Sequence, residues 1–200
     1  MKLCQILSFR YLNMHHAISI LCCRFSDVKL VMVGSTRNEE DRALVKSLKD
    51  VASALAISDN VVFVVNAPFT ELHSWLCCAQ VGLHTMWNEH FGISVVEMMA
   101  AGLITVAHDS GGPKLDLISS VPIPYDEPID PAAFSDLTKA ASATGYLATT
   151  ASQYAQCLHV ALDTYNDSLT LRQRARKSSL RFSDEEFTTN ILQIFTRIVM

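Results

Sequence analysis

The sequence lacks a disulfide framework. Of its six cysteines, four are neighbours, Cys22 with Cys23 and Cys77 with Cys78, while Cys4 and Cys157 stand apart. Adjacent cysteines rarely bridge each other, and no C-x-x-C or Cys/His ligand spacing occurs. Reduced, mostly buried thiols in a cytosol-facing protein are therefore expected. A surplus of positive charge is missing too: 16 Lys and Arg stand against 20 Asp and Glu, a formal net charge of -4. Such a chain has nothing to spare for neutralising a phosphate backbone, which argues against a nucleic-acid partner and leaves a single small anion within reach. Long hydrophobic runs are absent. The apolar start breaks at Ser8, Phe9 and Arg10, too soon for a secretory core, and residues 17–23 fall short of the roughly 18 to 20 that a membrane-spanning helix needs. There is no internal repeat, no low-complexity tract, and no G-x-G-x-x-G after a strand, so a dinucleotide-dependent oxidoreductase is disfavoured.

What is present reads as one domain. The chain has 200 residues and 50% hydrophobic content, enough for one sizeable core. Residues 1–27 read as irregular. From Val28 a β-branched run, closed by Gly34 and Ser35, predicts a buried strand. Asn38 and the acids Glu39, Glu40 and Asp41 then suit a helix start, with Leu44, Val45, Leu48, Val51 and Leu55 at helical spacing. The alternation continues with strands at 61–65, 81–84 and 103–107 and helices at 69–78 and 93–101, the last closed by Gly102. Strands alternating with helices imply parallel pairing and an α/β doubly wound, Rossmann-like sheet over residues 28–200. Four prolines between 119 and 144 predict a surface insertion, followed by a short strand at 145–147 and helices at 151–165, 169–181 and 183–198. Ser183 with Glu186 spells a capping box.

The densest polar signal runs from Trp87 to Gly102, where a loop leaves one strand and enters a helix. Gly92 lets the backbone approach a ligand, and the amides of Ile93, Ser94 and Val95 form the positive end of that helix, a seat for phosphate. Glu89 lies in the loop and Glu97 about one turn inside the helix, so both can face one cleft. A carboxylate among Val95, Val96, Met98 and Met99 is costly in an ordinary core. A solvated helix face with a loop acid is the plainer alternative. Ser110, Gly111 and Gly112 either admit a ligand or make a tight turn, and the same holds for Gly34. Of His84, His90 and His108, all near strand ends, His90 sits inside the motif and is the best candidate for a sugar contact. Trp87 and Met86 read as packing residues.

The Glu89-to-Glu97 spacing followed by Ala100, Ala101 and Gly102 resembles the E-x7-E signature of retaining glycosyltransferases with the two-Rossmann-domain (GT-B) fold. The runs 82–93, 110–116 and 181–187 are similar, within that family, to its GDP-mannose-dependent alpha-1,2-mannosyltransferases of asparagine-linked glycosylation. The likeness extends over about residues 28–187. It implies the C-terminal, donor-binding domain of a GT-B fold. By motif position it assigns Glu89 to the transferred hexose near the reacting carbon and Glu97 to the ribose hydroxyls. The amides of Phe91, Gly92 and Ile93, with Ser94 beside them, would hold sugar hydroxyls and diphosphate, and Gly34 would lie near the base. The resemblance further implies GDP-mannose as donor substrate, no bound metal, a dolichol-linked oligosaccharide as acceptor and the cytosolic face of the endoplasmic reticulum membrane, with membrane contact through an N-terminal half. The sequence departs from the family in one respect that bears on activity. The Arg-Pro-Glu-Lys run that neutralises the donor diphosphate is missing, and Arg10, followed by Tyr11 and Leu12, echoes its arginine alone. A fragment that keeps the donor fold is therefore expected. A noncatalytic nucleotide-sugar-binding module or an inactive truncated paralogue is the second reading.

Overall fold

The computed structural model describes residues 2–6, 27–120 and 142–199, with side chains over 27–120 and 142–198. Its strands are Lys2–Ile6 (β1), Val28–Gly34 (β2), Val61–Val65 (β3), Val81–His84 (β4), Ile104–His108 (β5) and Tyr146–Ala148 (β6). All pair in parallel, in the order β3-β2-β1-β4-β5-β6. That is the doubly wound order expected of strands fed by crossover helices. The helices are Glu39–Ala54 (α1), Phe69–Cys78 (α2), Ile93–Ala101 (α3), Ala151–Asp163 (α4), Leu169–Ser179 (α5) and Asp184–Val199 (α6).

Both faces of the sheet are covered, as a buried parallel sheet requires. On one face Leu30, Met32, Leu83 and Val106 pack with Val45 and Leu48 of α1 and with Tyr154, Leu158 and Ala161 of α4. On the other, Val31, Val33 and Ala107 pack with Leu76 of α2 and with Val95, Met98 and Met99 of α3. Alternate residues of β2 thus feed two cores. Each fully buried aliphatic side chain contributes about 1.5 to 3 kcal/mol.

Local sequence explains where elements start and stop. Asn38 caps α1 by accepting from the Asp41 amide at 2.8 Å. The end of α3 is closed by Gly102 in the left-handed region (φ 82°), with the Gly102 amide on the Met99 carbonyl and the Leu103 amide on the Met98 carbonyl. Leu103 is consumed by that closure, so β5 begins at Ile104, one residue later than the apolar run suggests. The capping box at Ser183 is half made: its hydroxyl accepts from the Glu186 amide at 3.2 Å, while the Ser183 amide is taken by the Leu180 carbonyl. A complete box instead opens α4, between Thr150 and Gln153.

Three expectations change. Residues 1–27 are not uniformly irregular, because Lys2–Ile6 forms a central strand paired on both sides, with β2 and with β4. Five residues with one β-branched side chain carry too weak a local signal, and two neighbouring ladders override it. Cys157 is buried, but Cys77 and Cys78 are exposed, since only Leu76 of α2 is buried. Trp87 is 64% exposed and so is not a packing residue. Arg10 lies outside the described residues, as does most of the proline-rich insertion. The insertion's flanks meet, with the Thr144 amide on the Ser119 carbonyl at 2.9 Å and Ser120 bridged to Gly145.

Candidate functional site

The order of the strands reverses between β1 and β4, and the crevice outside the carboxyl ends there is where open α/β sheets bind ligands. Two loops build its rim, 85–92 after β4 and 109–112 after β5. They lock together through backbone. The Gly112 amide donates to the Glu89 carbonyl at 2.7 Å, and the Asn88 amide donates to the Ser110 hydroxyl at 2.8 Å. That hydroxyl also lies 2.8 Å from His108 Nδ1. A Cβ on Gly111 would sit 2.2 Å from the Glu89 carbonyl oxygen, and one on Gly112 would sit 2.5 Å from that of Phe91. Only glycine lets the loops approach this closely.

Behind the loops α3 lies hard against the sheet. A Cβ on Gly82 of β4 would fall 2.4 Å from Met98 Sδ, so the missing side chain sets how close the helix comes. The helix opens at Gly92, which is left-handed (φ 93°) and supplies no side-chain cap. Its carbonyl accepts from the Val95 amide at 2.9 Å and the Val96 amide at 3.3 Å. The Val95 amide is therefore not available to a ligand, contrary to expectation, and the positive end of the helix is carried by the amides that precede it.

Glu89 and Glu97 are both half-buried. The Glu89 side chain is 25% exposed, with its Cγ 3.4 Å from where a Gly92 Cβ would lie. Its carboxylate stands 3.5 Å from Nε2 of His84, the last residue of β4, which is 3% exposed. Burial is the main influence on His84 and holds its imidazole below the ordinary value; Glu89 pulls it upward and His108 adds to the lowering. Glu97 is half-buried, with no ion-pair partner among the described residues, and burial pushes its carboxyl above the ordinary value.

The remaining candidates are spread more widely. Phe91 is 40% exposed and rests edge-on against Phe182, with ring centroids 5.2 Å apart. His90 is exposed, Ser94 is half-buried, and Ile93 points its side chain to solvent. Gly34 ends β2, two strands from β4, and its carbonyl accepts from the Asn66 amide at 2.9 Å rather than joining the loops around Glu89. The sequence named His84 only as one of three histidines; its contact with Glu89 was missed. So was Tyr154 of α4, whose hydroxyl donates to the His84 carbonyl at 3.1 Å.

A family model described as glycosyl transferases group 1 matches residues 10–120, a span that contains the Glu89 loop and α3. The chain is 46% identical over 166 residues to the GDP-Man:Man(3)GlcNAc(2)-PP-Dol alpha-1,2-mannosyltransferase of Xenopus tropicalis, covering 82% of this chain and 30% of that protein. It thus spans about 30% of the length of the curated relatives it matches. Among solved structures, it is similar to the sucrose-phosphate synthase of Thermosynechococcus elongatus, with a TM-score of 0.74 at 18% identity, covering 99% of this chain and 46% of that one. It is also similar to the C-terminal domain of a glycosyl transferase group 1 family protein of Francisella tularensis, with a TM-score of 0.66 at 16% identity, covering 88% and 83%. These likenesses show the fold, the Rossmann-like C-terminal domain of a GT-B glycosyltransferase. With more than half its length matched by the family model, the chain belongs to the group 1 glycosyl transferases.

Proposed function

We propose that this chain is the donor-binding half of a retaining mannosyltransferase that moves mannose from GDP-mannose to a dolichol-linked oligosaccharide, forming an alpha-1,2 linkage. The observation that carries the reading is the uncapped start of α3, opened by left-handed Gly92 beside Glu89 at the crevice of the sheet. The name of the 46% identical relative supplies donor and acceptor. In this reading Glu89 faces the transferred hexose near the reacting carbon and Glu97 accepts from the ribose hydroxyls. The amides of Phe91, Gly92 and Ile93, with Ser94, hold sugar hydroxyls and diphosphate. His90, Gly34, Gly111 and Gly112 line the donor's course. As the sugar departs, charge grows on the diphosphate, and fixed amides at a helix start stabilise that charge without reorganising. The reading requires no bound metal. It places the reaction at the cytosolic face of the endoplasmic reticulum membrane, with membrane contact through a part of the protein that this chain does not span. Among the described residues no helix is long and apolar enough to cross a membrane.

Calorimetry with GDP, UDP and ADP tests the donor site. GDP should bind preferentially, and Glu97→Gln should weaken it about tenfold, the loss of a hydrogen bond to a charged group. Equal binding of the three nucleotides, or none, rejects the reading. The second reading, a binding module without transfer, is favoured by the missing Arg-Pro-Glu-Lys run and by the engagement of nearby cations. Lys114 Nζ lies 3.1 Å from Asp109, and Arg181 donates to the Asp116 carbonyl. Both readings predict GDP binding; mannose transfer to a dolichol-linked acceptor decides for the enzyme.

A further inference from the structure

His84 is held from three sides. Its backbone ends β4, its carbonyl accepts from the Tyr154 hydroxyl, and its ring is sealed in the interior with Nε2 toward Glu89. The other ring nitrogen, Nδ1, is buried and has no hydrogen-bond partner among the described residues. A protonated imidazole would carry a second N–H on that nitrogen with nothing to accept it, in a place from which water is excluded. That costs the full desolvation of a charged donor. The neutral ring must put its single proton on one nitrogen. Glu89, an acceptor, faces Nε2, so a lone pair there would meet the carboxylate's lone pairs, whereas an N–H there meets an acceptor. The direction in which burial moves His84, with His108 adding to it and Glu89 opposing it, agrees with a neutral ring.

We propose that His84, as the neutral Nε2–H tautomer, is a positioning residue for Glu89: it ties one carboxylate oxygen and leaves the other turned to the transferred sugar. This rests on the reading that Glu89 meets that sugar. A neutral donor orients the carboxylate without cancelling its negative charge, which is what a reacting carbon gaining positive character requires; an imidazolium would neutralise it. The 3.5 Å separation is at the long limit for a hydrogen bond, as such contacts often are before ligand binds.

Two measurements on the 200-residue chain test this. Long-range nitrogen–proton NMR should show His84 as the Nε2–H tautomer at neutral pH, and Glu89→Gln should lower its titration further by removing the one group that raises it. A proton on Nδ1, or a titration indifferent to Glu89→Gln, overturns the contact. The second measurement is the affinity for GDP-mannose relative to GDP. His84→Leu should erode the sugar's share by about fivefold, the loss expected of one hydrogen bond, with GDP itself unchanged. His84→Gln, whose amide nitrogen reaches nearly the same point, should restore most of it. Equal losses in both variants, a loss of GDP affinity to match, or wild-type chain that binds GDP and GDP-mannose alike overturns the positioning role. Failure to bind GDP at all would sink the donor-site reading and the sugar-orienting role with it, while the tautomer would still report the contact.

Discussion

At the scale of single residues, Glu97 is the side chain that the fold alone explains least. A half-buried carboxylate with no cation to answer it among the described residues is held against its own preference for water. Its folded value is raised, so its stabilising influence is complete below the ordinary 4.5 and is lost as pH rises through the folded value. At neutral pH the charged group is a net cost. Glu97→Gln is accordingly expected to melt at a higher temperature than wild type at pH 7, with the gap closing as pH falls toward 4.5 and below, followed by circular dichroism across that range. The same substitution should weaken nucleotide binding. A protein stabilised by losing a group that its ligand needs is the usual exchange at a functional site. Should the variant melt lower at pH 7, the carboxylate would be part of the scaffold instead.

Among the elements, closures and close approaches decide most. Helix α1 ends with Ala56 left-handed (φ 55°), its amide on the Ser53 carbonyl and the Ile57 amide on the Ala52 carbonyl. That position favours glycine, and Ala56→Gly should stabilise the chain by about 1 kcal/mol in urea unfolding, since an L-residue there costs roughly 1 to 2. The opposite holds where the rim loops meet. Gly112→Ala drives a Cβ to within 2.5 Å of one backbone oxygen and 2.6 Å of another, and backbone cannot swing aside as a side chain can. A loss of about 1 to 3 kcal/mol, the usual cost of overpacking, should come with weakened GDP binding, because the 85–92 loop must shift. Unaltered GDP affinity in a destabilised Gly112→Ala would show that the loop's position is irrelevant to the ligand. These elements also show what a sequence can tell. β2, β3, β4, α2 and α3 were legible because β-branched runs and glycine or proline punctuation are local signals. β1 was not, because Lys2–Ile6 is defined by two ladders to distant strands. In the site, the loop-to-helix entry at Gly92 was legible from spacing, whereas the roles of Glu89 and Glu97 came from the family resemblance and not from spacing. The bond from Asn88 to Ser110 spans 22 positions, and the contact of Glu89 with His84 depends on how the loop folds back, so neither leaves a trace in any local window.

Seen whole, the described residues bury both faces of the sheet yet leave apolar side chains exposed, Phe69, Leu169 and Leu180 among them, and two places stand out. Trp87, Ile93 and Leu115 are 64, 61 and 77% exposed around the carboxyl edge, beside the rim that the two loops form. The second place is α6, where Phe187, Leu192, Phe195 and Ile198 are 67, 60, 58 and 73% exposed. Apolar side chains scattered singly on a surface need no explanation, but several along one helix are adhesive in water. A net charge of only -4 adds little repulsion to keep copies apart. The chain should therefore associate as its concentration rises, seen by sedimentation velocity as a shift to faster species. Replacing Phe187, Phe195 and Ile198 together by glutamate should return it to a monomer. GDP binding should survive that change, because none of the three residues belongs to the rim loops or to the first turn of α3. Association that persists in the triple variant would point to Trp87, Ile93 and Leu115 beside the rim, and GDP, bound at the neighbouring amides of residues 91–93, should then compete with self-association.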